Sequence, residues 1–362
     1  MKTFIYESQP SRTVFGEGTI NEINKEVQLL GMQNALVIST PGKNGMELAI
    51  KVASLLGEVC QSVYPKAIQH VPIETVTEAI EYVKMNRIDG LIAIGGGSPI
   101  GLAKAIALET KLPILAVPTT YAGSEMTPVW GITENGVKKT GTNPGVKPKT
   151  IIYDPALTTT IPAMLSVTSG VNSIAHCVEG LYSETANPIT SLLAEEGIKS
   201  FVKSLPKIVE NPSDLSARSD AFYGAWLGGT VLGTVGMALH HKLCHTLGGS
   251  FKLPHAETHT VVLPYAIAYN AEYTPDAIAA LSRALNSDRQ DVAGTLFDLI
   301  QSLGGPVSLE SIGFKQEDIE KAADLTTKNS YYNPRPVEQE AIIDLLKNAY
   351  YGRRPEPIKN RG

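Results

Sequence analysis

The chain has 362 residues, enough for two domains of ordinary size rather than one core. Apolar residues make up 43% and charged residues 19%, an ordinary globular balance, and the net charge of −5 provides no basic footprint for nucleic acid. Cys60, Cys177 and Cys244 are widely spaced and form no C-x-x-C pair, which argues against a disulfide framework or a cysteine zinc site and for a reducing, cytoplasmic setting. The opening stretch, MKTFIYESQPSRTVFGEG, holds no apolar core of signal-peptide length.

In chain order, an apolar strand is expected over residues 35–39, then a helix over 46–56. A helix over 73–85 leads into a strand over 91–94, and a second apolar run over 114–117 precedes Pro118-Thr119-Thr120. Strands alternating with helices predict a mostly parallel sheet covered on both faces. Beyond the Ile151-Ile152-Tyr153-Asp154-Pro155 run the patterns become helical, with helices expected over 163–182, 189–209, 216–239 and 291–303. The switch predicts an α/β domain over residues 1–155 and an all-α domain over 156–362. Residues 221–241 carry no Lys, Arg, Asp or Glu and are long enough to cross a bilayer. Their five glycines (Gly224, Gly228, Gly229, Gly233, Gly236) instead predict a buried helix with close helix packing. The polar tail, 353–362, is expected to fray.

Gly95-Gly96-Gly97-Ser98 follows a predicted strand and opens a helix, with Ser98 suited to the N-cap and Pro99 to the first helical position. Glycines there let backbone N–H groups approach a phosphate, and the helix N-terminus adds favourable partial charge. The pattern is neither G-x-G-x-x-G, whose third glycine would fall at Ile100, nor a Walker loop. Thr119 and Thr120 follow the next strand, at the sheet edge where ligands of open α/β sheets bind, with a helix N-cap as the alternative role. Ser39 and Thr40 end the first strand without the acid that would repel a ribose 2′-phosphate, so both NADH and NADPH are admitted.

Six of the seven histidines lie in the second half, as Asn172-x3-His176, His240-His241-x3-His245 and His255-x3-His259. A spacing of four puts two side chains on one helical face, and two facing helices could assemble three or four imidazoles, a set that suits zinc, iron or nickel. His70 and His240 are read as ordinary core or surface histidines. His255-Ala256-Glu257-Thr258-His259 is not a zinc-protease motif, because its glutamate does not directly follow the first histidine.

Gly95-Gly96-Gly97-Ser98, Pro118-Thr119-Thr120 with Ser124-Glu125, and the His176, His241, His245, His255 pattern together resemble the iron-containing alcohol dehydrogenases over essentially the whole chain. More narrowly, the strings GGGSPIGLAKAIAL, VPTTYAGSEMTPVWGITE, PKTIIYDP and LHHKLCHTLGGSFKLPHAETHTVVLP are similar to the maleylacetate reductases within that superfamily. The resemblance implies the dehydroquinate synthase-like fold: an N-terminal α/β dinucleotide-binding domain, an all-helical catalytic domain, an active site in the cleft between them, and a homodimer. It implies NADH or NADPH as cofactor, with Ser39, Thr40, Gly95, Gly96, Gly97, Ser98, Thr119 and Thr120 as its contacts. In the wider superfamily one Asp and three His hold a divalent metal, at positions matching Asn172, His176, His241 and His255. Asn172 is neutral, which lowers the expected affinity and leaves iron or zinc on His176, His241 and His255 an open expectation. Gly101 also replaces the Asp usual after the glycine loop.

The reaction implied is reduction of the C=C bond of maleylacetate to 3-oxoadipate in aromatic compound breakdown. An alcohol dehydrogenase must stabilise an alkoxide, for which a Lewis-acidic metal is the natural partner. Hydride addition to an alkene conjugated with a ketone gives an enolate, a weaker base that hydrogen-bond donors can stabilise. His245, with His241 or His255, is the expected donor or proton source, an imidazole with an ordinary pKa of ~6.5. Asn172, His176, His241, His245 and His255 are the expected substrate contacts. The dicarboxylate needs cations, and Lys242 and Lys252 are near in sequence, although each alone reads as solvated surface. The alternatives are a metal-dependent dehydrogenase of a small alcohol, a lyase resembling dehydroquinate synthase, and an NADPH-sensing module.

Overall fold

A computed structural model of the chain describes residues 3–7, 10–135, 137–328 and 331–358. Two compact units are found. One runs to Ile161, and the other starts at Pro162 and includes residues 3–7. The division falls slightly past Pro155, the boundary expected from the sequence. Asp154 is the reason: its carboxylate accepts from Gly18 N at 3.1 Å, Ile20 N at 3.2 Å and Ala156 N at 3.1 Å, which ties the turn at Pro155–Thr158 to the first unit.

The first unit holds eight strands, β1 (Arg12–Phe15), β2 (Ala35–Ile38), β3 (Cys60–Tyr64), β4 (Gly90–Gly95), β5 (Ile114–Pro118), β6 (Val129–Glu134), β7 (Val137–Thr142) and β8 (Thr150–Tyr153). Its helices are α1 (Ile23–Leu29), α2 (Lys43–Leu56), α3 (Ile73–Met85) and α4 (Gly97–Thr110). Six strands form one parallel sheet in the order β1-β8-β5-β4-β2-β3. Strands β2 and β5 are buried along their whole length, the mark of a parallel sheet covered on both faces. Ile92, Ile94, Leu115, Val117 and Ile152 pack with Ile23 and Val27 of α1 and with Ala49 and Val52 of α2. The chain steps from β2 outward to β3, then returns to lay β4 on the other side of β2. The strand order therefore reverses between β2 and β4, the place where ligands of open α/β sheets bind.

The antiparallel pair β6–β7 was not expected. Both strands lie largely at the surface, so neither shows the buried apolar run by which β2, β4 and β5 are read. Helix α4 also starts earlier than expected: Gly96 is its N-cap, Gly97 its first residue, and Ser98 and Pro99 lie within the first turn. Pro99 is harmless there, because the first N–H groups of a helix have no partner within it.

The second unit is all helical among its described residues: α5 (Ala163–Tyr182), α6 (Pro188–Glu210), α7 (Leu215–Leu232), α8 (Leu239–Phe251), α9 (His255–Asn270), α10 (Pro275–Leu285), α11 (Val292–Ser302), α12 (Ile319–Thr327) and α13 (Gln339–Tyr351). Every residue of α5 from Ser166 to Gly180 is buried. Small residues make this possible: a Cβ at Gly228 of α7 would meet Ser173 Oγ of α5 at 2.3 Å. The helix expected over 216–239 stops at Leu232, and α8 begins at Leu239. The break is held from α5, where Glu179 accepts from Ala238 N at 2.8 Å and His240 N at 2.6 Å and so caps the new helix. No helix among the described residues is long and apolar enough to cross a membrane. The tail is also better tied than expected as far as Ile358: Arg354 pairs with Asp291 at 2.6 Å and Asp298 at 2.8 Å, and Ile358 N donates to Gln290 O at 2.7 Å. Residues 359–362 of that expectation lie outside the described residues.

Candidate functional site

In the α/β unit the predicted cofactor residues gather at the carboxyl ends of three neighbouring strands. Ser39 and Thr40 leave β2, Gly95 to Ser98 leave β4, and Thr119 and Thr120 leave β5. Gly95 has φ +135°, a conformation that other residues rarely adopt, and a Cβ there would meet Pro99 Cγ at 2.9 Å. Its carbonyl accepts from Thr119 N at 3.0 Å, which locks the two loops together. A Cβ on Gly96 would stand 3.1 Å from Thr120, whereas one on Gly97 would meet nothing within 4 Å. The start of α4 thus opens onto free space at Gly97, and its N-cap makes no side-chain hydrogen bond, a cradle that fits a phosphate.

Two turns into α4 lies a feature that composition did not betray. Lys104 is 1% exposed, and its Nζ donates to Ser124 O at 2.6 Å, Thr127 Oγ1 at 2.9 Å and Val129 O at 3.0 Å. It ties the helix that begins at the glycines to the turn that follows Thr119 and Thr120. Burial pulls its pKa down to about 7, partly offset by the Glu125 carboxylate. Glu125 is itself buried, which pushes its pKa up, and it accepts from the Tyr153 hydroxyl at 2.7 Å.

In the helical unit three helices bring six imidazoles together. Helix α5 contributes Asn172, His176 and Glu179; α8 contributes His240, His241, Cys244 and His245; α9 contributes His255 and His259. Ring centroids are 5.0 Å apart for His176 and His241, 4.9 Å for His241 and His259, 4.4 Å for His255 and His259, and 6.1 Å for His241 and His245. His70 stands apart in the other unit, exposed, with its carbonyl accepting from Thr133 Oγ1.

Two hydrogen-bonded chains run through the cluster. Glu179 Oε2 accepts from His241 Nδ1 at 2.7 Å, which leaves His241 Nε2 to accept from His176 Nδ1 at 2.9 Å. His240 Nε2 and His259 Nδ1 are 3.0 Å apart, with Cys244 Sγ 3.7 Å from the former. Burial, reinforced by the neighbouring imidazoles, holds the pKa of His240 and His259 well below the ordinary value, so both are neutral. Burial likewise keeps the Cys244 thiol protonated. His240 is the hydrogen-bonded core histidine expected. It also forms, with Cys244 and His259, a buried group whose donor atoms lie within 4.8 Å of one another. His245 is exposed, and its Nδ1 is 3.1 Å from the Tyr331 hydroxyl.

The set Asn172, His176, His241 and His255 was tested as a metal site. It contains no anionic ligand, and a nitrogen of His176 and one of His241 are spent on each other. Asn172 Oδ1 is buried without a hydrogen-bond partner, and as a neutral amide oxygen it is a weaker ligand for a cation than a carboxylate. A divalent ion taken on His241 would have to displace His176 or Glu179, because both ring nitrogens of His241 are already hydrogen-bonded. The set forms a hydrogen-bonded cluster backed by one buried carboxylate, Glu179.

Sequence reasoning missed Glu179 and Tyr331. Glu179 lies three residues after His176, so the helical spacing that selected His176 could have found it. Tyr331 is far from α8 in sequence and had no local signal.

Family models match both halves of the chain: iron-containing alcohol dehydrogenase over residues 10–155, and the C-terminal part of the Fe-containing alcohol dehydrogenase family over residues 166–350. A maleylacetate reductase of Pseudomonas sp. (strain P51) is 51% identical over 98% of this chain and 99% of its own length. One from Burkholderia cepacia is 51% identical over 98% of this chain and 100% of its own. The crystal structure of maleylacetate reductase from Agrobacterium tumefaciens is similar at a TM-score of 0.94 with 46% identity, covering 98% of this chain and 100% of that one.

Proposed function

The chain belongs to the iron-containing alcohol dehydrogenase family, and on that premise we propose that it is a maleylacetate reductase, converting maleylacetate to 3-oxoadipate with NADH or NADPH. One observation carries the choice of reaction within this oxidoreductase family. The imidazoles are hydrogen-bonded to one another and to Glu179, with the amide of Asn172 on the same helix as His176, a set of donors suited to a developing enolate.

Gly95 to Ser98 and the N-terminus of α4 would hold the pyrophosphate, with Thr119, Thr120, Ser39 and Thr40 lining the ribose side. Reduced nicotinamide held there would supply a hydride to the alkene carbon, and the displaced electron pair would come to rest as the enolate of the adjoining ketone. His245 donates to that enolate or delivers the proton to carbon, assisted by His241 or His255. Its exposure in the helical unit leaves it accessible to a substrate, whereas His240 and His259 are sealed in the interior. Asn172 and His176 complete the contacts to the substrate. Glu179 keeps His241 in one tautomer and orientation. The hydroxyls at Ser39 and Thr40 admit either NADH or NADPH.

The reading extends to a homodimer, which sedimentation of the purified enzyme checks directly, and to a cytoplasmic location, which cell fractionation checks. The decisive assay is oxidation of NADH and of NADPH with maleylacetate, with and without a chelator. The expected outcome is substrate-dependent oxidation that survives chelation. No oxidation with maleylacetate would defeat the function, and loss of activity with chelator, restored by metal, would favour the metal-dependent alcohol dehydrogenase instead.

A further inference from the structure

Around Tyr331 the helical unit assembles three groups that the steps above do not use together. Lys242 and His245 stand three residues apart on α8 and share a face. Tyr331, from the chain beyond α12, meets both: its hydroxyl is 3.1 Å from His245 Nδ1, and its ring centroid lies 5.8 Å from Lys242 Nζ. Lys242 was expected to be a solvated surface lysine. It is half-buried against this aromatic face, whereas Lys252 is exposed and ends α8 in a left-handed conformation with φ 59°. Among the described residues no carboxylate pairs with Lys242, and unlike Lys321, which lies over the Phe251 ring in the same way, it shares its aromatic neighbour with an imidazole of the cluster. An ammonium held over a ring and lacking a counter-ion is a cation set in place for an anion from outside.

We propose that Lys242 binds the substrate carboxylate that lies one methylene from the ketone, and that Tyr331 is the positioning residue that keeps Lys242 and His245 in register. This rests on the reductase reading above. Neighbours three apart on a helix stand about 5–6 Å apart at Cβ. With His245 at the enolate oxygen, a cation one turn back is within reach of the –CO–CH2–COO⁻ arm. The ligand class is therefore a β-keto carboxylate, and the enzyme discriminates between substrates by that arm.

The test compares maleylacetate with cis-4-oxopent-2-enoate, which keeps the conjugated ketone and lacks the arm carboxylate. In Lys242→Met the KM for maleylacetate rises roughly tenfold or more, as expected for a lost charge-assisted hydrogen bond, with a much smaller change in kcat. The preference for maleylacetate over the truncated substrate, read as the ratio of kcat/KM values, falls by the same factor, and Lys242→Arg recovers part of it. Tyr331→Phe lowers kcat more than it raises KM. An unchanged KM for maleylacetate in Lys242→Met, or equal losses on both substrates, overturns the proposal while leaving the reductase reading intact. Failure of the unmutated enzyme to turn over maleylacetate overturns both. Lys242→Gln, closer in shape and polarity, supplies the same comparison if the methionine variant does not fold.

Discussion

The two units solve the problem of holding small polar molecules by opposite means. In the α/β unit the proposed cofactor edge is mostly backbone: glycines clear the space before α4, and the sheet sets three loops side by side. In the helical unit the site is almost entirely side chain, with imidazoles from three helices packed in contact and steered by a buried carboxylate. Backbone sites tolerate exchange of nearby side chains but fail when a Cβ intrudes. Side-chain sites tolerate small backbone adjustments but fail when one donor or its orienting partner is lost.

That contrast can be broken at four points. The largest effect is expected from His245→Ala, which should lower kcat by about a hundredfold or more while KM changes little, as for loss of a general acid. Steady-state kinetics with maleylacetate decide it, and turnover within a few-fold of the unmutated enzyme would remove His245 from the mechanism. Gly95→Ala comes next. The positive φ and the contact with Pro99 should cost about 1–3 kcal/mol of stability and raise the KM for NAD(P)H. Urea unfolding and cofactor titration measure the two effects, and a variant with normal cofactor affinity would contradict the backbone account of this edge.

Glu179→Gln tests the orienting carboxylate. An amide cannot accept equally from Ala238 N, His240 N and His241 Nδ1, so stability should fall by about 1–3 kcal/mol, with a loss of turnover smaller than that of His245→Ala. Unfolding at fixed pH and kcat together check it; unchanged kcat would make Glu179 a helix cap only. The last point is Lys104, whose effect shows only in the pH dependence of stability. Its folded pKa of about 7 lies below the ordinary lysine value of ~10.4, so between these pH values the folded chain binds fewer protons than the unfolded one. Stability therefore gains from this group as pH rises through that window and loses the gain as pH falls through about 7. In Lys104→Met the gain should be missing, which urea midpoints at pH 7 and pH 9 would show; parallel pH dependence in both proteins would refute it.

Legibility followed the same division. The glycine loop, β2, β4 and β5 could be read directly, since burial on both faces forces continuous apolar runs and a phosphate cradle needs residues without Cβ. The histidines were conspicuous because the rest of the chain has only His70. The helix over 216–239 was misjudged because its apolar composition continues through the break, and the break is enforced by Glu179 from another helix. The hairpin β6–β7 left no buried apolar stripe to read.

By itself the sequence determined the α/β-then-helical order, the glycine cradle, the identity of the histidines and the neutral residue at 172, all of which are local patterns of residue type and period. Only the tertiary structure decided which of six imidazoles are sealed and which is exposed, that Glu179 directs His241, that Lys104 is buried, and that Lys242 and His245 meet through Tyr331. These depend on contacts between segments remote in the chain, and no periodicity along a single segment carries that information.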